Sequence, residues 1–339
     1  MNVLKNRVYE LDILRVLACL MVICMHAPYP KEGANGLFLS TLSYFTAPCI
    51  GLFFMVSGAL LLPVRTDTKT FLGKRLSKVV VPTLVWTVVY VVYNIIMGKD
   101  ENWIQTIVSI PFSAQGHGVL WFMYTLIGLY LLAPVMSRWL EKASKREVEF
   151  YLLLWLISLC YPILKLFLKI QDGTENILYY FSGYAGYFLL GYYMRKYPQV
   201  LAFKRLLPLL IISLAAPVLC KVLHLNVNFY SLFWYLSVFV VIMCAVWFQG
   251  IFSYGKRHLS SWMLGRLELI SNLSFGIYLS HIFIMRYILW KWDVIVSINS
   301  YGLQTLIVVI LTFIISLLFS WLMAYLPKGD YIIGYKIKR

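Results

Sequence analysis

The sequence predicts an all-α integral membrane protein with about ten transmembrane helices and cytoplasmic N- and C-termini. Three observations carry that reading. First, 61% of the 339 residues are hydrophobic and 13% charged, with a mean hydropathy of +0.77. That is more apolar surface than one water-soluble core can take in, so lipid must act as the solvent. Second, ten apolar runs are long enough to cross a bilayer of about 30 Å at about 1.5 Å per residue. Third, with the N-terminus inside, 22 Lys and Arg fall in the inner segments and six in the outer ones, the bias expected of cytoplasmic loops. The 25 Tyr, 21 Phe and 11 Trp suit aromatic belts at both interfaces.

The runs follow one another with alternating flanks. Run 11–29 follows Lys5 and Arg7, and only Lys31 separates it from run 42–63. Arg65, Lys69, Lys74, Arg75 and Lys78 then precede run 79–97, whose outer end has Lys99. Run 118–137 descends to Arg138, Lys142, Lys145 and Arg146. Runs 148–170 and 176–194 are parted by "QDGTE" and end inside at Arg195, Lys196, Lys204 and Arg205. Run 206–223 leads outward past Lys221, and run 229–252 returns to Lys256, Arg257 and Arg266. Run 268–290 exits at Lys291, and run 302–326 comes back to Lys328, Lys336, Lys338 and Arg339. A missed span would scramble this alternation.

The net charge of +16 therefore marks inner loops and anionic headgroups, not nucleic acid, for which no recognition module adjoins a basic stretch. The six cysteines have no CxxC spacing and fall in or beside apolar runs, which argues against a disulfide framework or a zinc site. Inert buried thiols are expected, and no metal. Lys5 and Arg7 ahead of an apolar run resemble a secretory leader, but no small-residue cleavage site follows, so 11–29 is retained as a span. No loop exceeds about 20 residues and no repeat is visible, so residues 1–339 read as one membrane domain without a soluble one. The sequence specifies no oligomeric state.

Ionisable groups inside spans cost roughly 2.5–3.5 kcal/mol at the bilayer centre and usually face the protein interior. Here they are Asp12, Arg15 and His26 in the first run, and His281 and Arg286 in the ninth. At about 100° per residue, Arg15 and His26 share one helix face about 16 Å apart. Asp12, three residues before Arg15, is placed to pair with it. The stripe suits a long substrate held by an acid-base pair at one end and an imidazole at the other. The alternative is that Arg15 and His26 snorkel to opposite headgroup layers.

A basic residue, ten residues and a His in the first span, with an Asp shortly before, resembles acyltransferase family 3 of bacterial membrane O-acyltransferases. "LFFMVSGALL" at 52–61, "FLGKRLSKVVVP" at 71–82, "LWFMYTLIGLYLLAP" at 120–134 and "LSFGIYLSH" at 273–281 resemble the family's further motifs in the same order. Family members often place a His directly before the Leu-Trp-Phe of the fourth span. Here His117 stands two residues further away in "GHGVLWF", so no role passes to it. With about a dozen residues after the last run, the chain is similar to standalone members that decorate surface polysaccharide or its lipid-linked precursors.

The resemblance implies a multi-pass protein of the bacterial inner membrane, an acyl-CoA donor, usually acetyl-CoA, and a glycan or glycolipid hydroxyl as acceptor. A hydroxyl needs a base with a pKa near 7, which His26 can supply; transient acylation of His26 is the alternative. Arg15 would bind a phosphate or orient the CoA arm, with Asp12 holding its guanidinium. Lys74, Arg75 and Lys78 serve either CoA phosphates or the inner headgroups. Trp121, Phe122 and Tyr124 either wall a substrate pocket or pack. His281, with Arg286 nearby in sequence, is either a second catalytic or binding group or a hydrogen-bonded core histidine. Ser57 and Gly58 allow a neighbouring helix to approach closely. A secondary transporter or flippase for an anionic or lipid-linked solute is the rival reading, but Pro134, Pro162 and Pro217 form no matched pair of interrupted helices.

Overall fold

The computed structural model describes residues 7–30, 36–98, 102–114, 120–168, 170, 173–198, 202–225, 227–255 and 259–337. Among these there is no strand. The helices, in chain order, are α1 (Tyr9–His26), α2 (Gly36–Thr46), α3 (Pro48–Leu61), α4 (Thr68–Ile96), α5 (Trp103–Ser109), α6 (Trp121–Leu140), α7 (Lys145–Ser158) and α8 (Tyr161–Leu164). They continue with α9 (Ala185–Lys196), α10 (Phe203–Val222), α11 (Phe229–Leu232), α12 (Val238–Gly250), α13 (Ser261–Tyr287), α14 (Asp293–Val296), α15 (Tyr301–Tyr325) and α16 (Asp330–Ile333). In hydrocarbon a chain must satisfy its backbone groups within each segment, which is why apolar runs of this length become helices.

Every predicted run contains a helix, and among the described residues eight helical segments are long and apolar enough to cross a membrane. The helices of two runs are not among those eight. α1 carries Glu10, Asp12 and Arg15 in 18 residues, too many charges for it to stand among those eight. In place of a full span over 176–194, a 3₁₀ turn at Tyr179–Phe181 precedes the 12-residue α9, which at about 1.5 Å per residue falls short of a 30 Å layer. The third run also starts earlier than its apolar stretch. Asp67 accepts a 2.9 Å hydrogen bond from the Thr70 amide, and this cap starts α4 at Thr68, so Lys74, Arg75 and Lys78 are helical and exposed.

The chain divides into two compact units. The first comprises Met1–Met21, Gly33–Pro63 and Val135–Glu268. Its centre is α9, buried from Gly186 to Met194 and packed on α3. A Cβ at Gly58 would lie 1.8 Å from the Phe188 carbonyl oxygen, and one at Gly191 would lie 1.9 Å from that of Met55. Only two glycines facing each other's helices permit this approach. Tyr187 donates 2.6 Å to the Tyr235 carbonyl, Tyr44 donates 2.6 Å to that of Ser213, and the Trp155 indole donates 2.9 Å to that of Gly183. These bonds let polar-tipped aromatics fill an apolar interior.

The second unit comprises Val22–Glu32, Val64–Pro134 and Leu269–Arg339. α4 runs through Pro82, whose missing N–H frees the Lys78 carbonyl. The segment after α15 packs there: Gly334 has φ +69°, and a Cβ on it would sit 2.8 Å from the Lys78 oxygen. The Trp86 indole donates 3.0 Å to the Ile332 carbonyl, and Tyr90 donates 3.1 Å to that of Leu279 on α13. Cys19, Cys49 and Cys244 are buried and Cys24, Cys160 and Cys220 half-buried.

Candidate functional site

Within the second unit, the last residue of α1 meets the middle of α13. The His26 and His281 rings stand 5.7 Å apart, centroid to centroid, tilted by 40°. Each histidine stands out in its own run, but they are far apart in the chain, and sequence order gives no sign of the pairing. His281 Nδ1 hydrogen-bonds the Tyr278 carbonyl. A carbonyl can only accept, so Nδ1 carries the proton, and a neutral ring then presents Nε2 as a lone pair. That Nε2 is buried without a hydrogen-bond partner, on a residue 2% exposed.

Further groups gather around the end of α1. Tyr29 lies edge-on to Trp290 at 5.5 Å, and the Tyr301 hydroxyl donates 2.9 Å to the Tyr29 carbonyl. One turn after Tyr301, Gln304 donates 2.8 Å to the Ile295 carbonyl. The Trp290 Nε1 donor and the Gln304 Oε1 acceptor are, like His281 Nε2, buried and unpartnered. Arg286 is exposed, holds its guanidinium 5.7 Å from the Trp290 ring, and interacts electrostatically with both imidazoles. Buried polar atoms left unpaired are costly, and a ligand donor at His281 Nε2 or a ligand acceptor at Trp290 Nε1 would remove that cost. Tyr29, Trp290, Tyr301 and Gln304 carry no local motif and meet only through tertiary packing, so sequence reading misses them.

The aromatic candidates divide. Phe122, 3% exposed, packs 5.3 Å from the Tyr278 ring, which is itself 5.4 Å from His281. Trp121 is half-buried and edge-on to Phe122 at 6.4 Å. Tyr124 donates 2.7 Å to the Ile110 carbonyl and thereby ties α6 to the turn after α5. His117 lies outside the described residues.

At the acid-base end of the stripe the expected Asp12–Arg15 pair is present, and Arg7 joins it. Asp12, placed by spacing against Arg15, is held mainly by Arg7. Arg7 Nε lies 2.7 Å from Asp12 Oδ2 and Nη2 lies 2.9 Å from Oδ1, a bidentate pair, while Nη1 reaches Glu268 at 3.2 Å. Arg15 Nη1 stands 4.0 Å from Asp12 Oδ1. Burial works against the charge on Arg7, but the Asp12 hydrogen bond and the Asp12 and Glu268 charges outweigh it and raise its pKa. Arg15 and His26 remain on one unbroken helix, α1.

Lys74, Arg75 and Lys78 project from the first turns of α4. Lys78 lines a cavity of about 760 Å³ together with residues of α15, α16 and the segment beyond. Lys74 and Arg75 are not in its wall.

Comparison with curated proteins and with solved structures returns no match. A family model described as an acyltransferase domain, by contrast, matches residues 8–325. That stretch starts just ahead of α1 and ends with α15, so it takes in both histidines, the Asp12–Arg15 end of the stripe and the basic turns of α4. The chain belongs to acyltransferase family 3 and is a membrane acyltransferase.

Proposed function

We propose that the protein transfers an acyl group, acetyl in the first instance, from acyl-CoA to a hydroxyl of a surface glycan or its lipid-linked precursor in a bacterial inner membrane. The observation that carries this reading is the His26–His281 pair at 5.7 Å, with the His281 Nε2 lone pair buried and unpartnered. In the proposed reaction a His26 nitrogen takes the proton of the acceptor hydroxyl. The oxygen forms a bond to the thioester carbonyl carbon, the carbon–sulfur bond breaks, and the CoA thiolate leaves with the proton from the imidazolium. His281 supplies the neighbouring acceptor, and the Trp290 indole N–H supplies a donor for acceptor or acyl oxygen.

On the donor side, Arg15 binds a phosphate of the CoA arm, and Lys74, Arg75 and Lys78 supply further phosphate contacts. Asp12 acts through Arg7 as well as Arg15, which makes it a positioning residue. The test is reconstitution in nanodiscs with radiolabelled acetyl-CoA and extracted glycolipids. His26→Ala should lower turnover by about 10²–10⁴-fold, the usual worth of a general base, while melting temperature and reconstitution yield stay as in the parent. Retained turnover in a folded His26→Ala protein would overturn the assignment.

A further inference from the structure

We infer that the cavity between the start of α4 and the segment following α15 binds the adenosine bisphosphate end of the CoA donor; this rests on the acyl-CoA reading above. Its volume of about 760 Å³ falls within the roughly 300–1,000 Å³ of small-molecule sites. Its lining residues include Lys78 and Lys336, Asp330, and Tyr325, Tyr331 and Tyr335.

That set fits one ligand chemistry. Two lysines take phosphate charge. The exposed Tyr325 and Tyr331 rings offer faces on which a base can stack. A carboxylate accepts from an exocyclic amine, as on adenine. An anionic lipid headgroup would use the lysines but leave the rings, and an acceptor for an exocyclic amine at Asp330, idle. The wall is also held in shape before any ligand arrives. Trp86 donates 3.0 Å to the Ile332 carbonyl, the Ile337 amide donates 3.1 Å to that of Ala324, and Asn272 donates 3.4 Å to the Tyr335 hydroxyl.

Reach supports the assignment. Tyr90 hydrogen-bonds the Leu279 carbonyl, two residues from His281, and it lies twelve residues along α4 from Lys78, about 18 Å of helix. The phosphopantetheine arm runs about thirteen bonds from phosphorus to sulfur, about 15 Å at the pitch of an extended chain. A nucleotide held at Lys78 and Lys336 therefore delivers its thioester to the level of the two histidines.

The experiment uses the full chain in phosphatidylcholine nanodiscs and measures calorimetric binding of adenosine 3′,5′-bisphosphate. Lys336→Ala and Tyr331→Ala should each weaken binding about tenfold, and Asp330→Asn should erase the preference for the adenosine over the inosine compound. In steady-state assays the same two alanine variants should cut the preference for acetyl-CoA over acetyl-pantetheine about tenfold. Unchanged nucleotide affinity in folded variants would overturn the site. So would a parent protein that binds no nucleotide but retains anionic lipid, by native mass spectrometry, in a Lys336-dependent way. If the nucleotide binds as described and no acetyl moves from acetyl-CoA, the transfer reading falls while the site stands.

Discussion

Replacing Gly58 by Ala should disrupt the α3–α9 interface. The new Cβ would stand 1.8 Å from the Phe188 carbonyl oxygen, where ordinary contact begins near 3.4 Å. The obstacle is backbone on a helix whose flanking residues are buried all round, so no side chain can swing aside. The helices must part by about 1.5 Å, and a gap of even 0.5–1 Å forfeits about a quarter to a half of each dispersion contact across it. Overpacking costs about 1–3 kcal/mol where side chains can adjust; here the top of that range, about 3 kcal/mol, applies. At about 2–4 °C per kcal/mol, the melting temperature should fall by about 6–12 °C. A thiol-reactive dye reads this directly, because the thiols of Cys49 and Cys244 in the same unit are buried until the packing opens. A methyl added at Gly73 or Gly128 would meet nothing within 4 Å, so Gly73→Ala and Gly128→Ala should leave stability unchanged or raise it by up to about 1 kcal/mol through helix propensity. A Gly58→Ala protein that melts with the parent, or a Gly73→Ala protein that loses as much, would refute the reasoning.

Three other outcomes follow from the same geometry. Arg7→Met removes the bidentate partner of Asp12, whose side chain is 7% exposed, and should cost about 2–3 kcal/mol by thermal melting. Arg15→Met should lower melting far less, because Asp12 keeps Arg7, while raising KM for the acyl donor; equal melting losses for the two would show that Arg15 carries the pair. Tyr187→Phe leaves the Tyr235 carbonyl without its 2.6 Å donor and should cost about 1 kcal/mol. Finally, the hydrogen bond from Thr70 holds the Asp67 carboxyl below its ordinary pKa. A depressed carboxyl stabilises above its unfolded pKa and loses that support as pH falls through the folded one. Protection of the Thr70 amide in hydrogen exchange should therefore vanish on acidification below the usual carboxylate range, and protection that persists there would reject the cap.

The helices were legible because a bilayer imposes a length on apolar runs, and run length survives ignorance of tertiary contacts. Hydropathy could not foresee that α9 is surrounded by protein. A run that buries Gly186 to Met194 on every face reads like one that meets lipid, so the sequence suggested a full span where a 12-residue helix stands. α4 also extends ahead of its apolar run for a converse reason: hydropathy begins counting after Lys78, whereas the backbone turns helical at the Asp67 cap. In the candidate site, His26, Arg15 and Asp12 were legible from spacing on one helix. Arg7 was not, since it precedes α1 and meets Asp12 five residues on, a separation the helical i, i+3 rule does not describe.

The remaining polar groups of the interior separate into two kinds. Tyr187, Tyr44, Trp155, Trp86 and Tyr90 each end on a backbone carbonyl, so folding alone accounts for their polar tips. Among the described residues, His281 Nε2, Trp290 Nε1, Gln304 Oε1 and the hydroxyls of Thr312, Ser316 and Ser320 lack such partners. The hydroxyls lie on α15, where rotation about one bond brings a Ser or Thr oxygen to the carbonyl four residues back. Imidazole and indole nitrogens have no such freedom, because each points where its ring is packed. His281 and Trp290 therefore hold fixed, unspent hydrogen-bonding capacity, linked through the end of α1 by the 5.7 Å His26–His281 contact and the 5.5 Å Tyr29–Trp290 contact. A core selected for stability alone would place apolar side chains at both positions. Capacity that folding leaves unused, and that sits beside an imidazole, is what an acyl acceptor with its own donor and acceptor atoms requires.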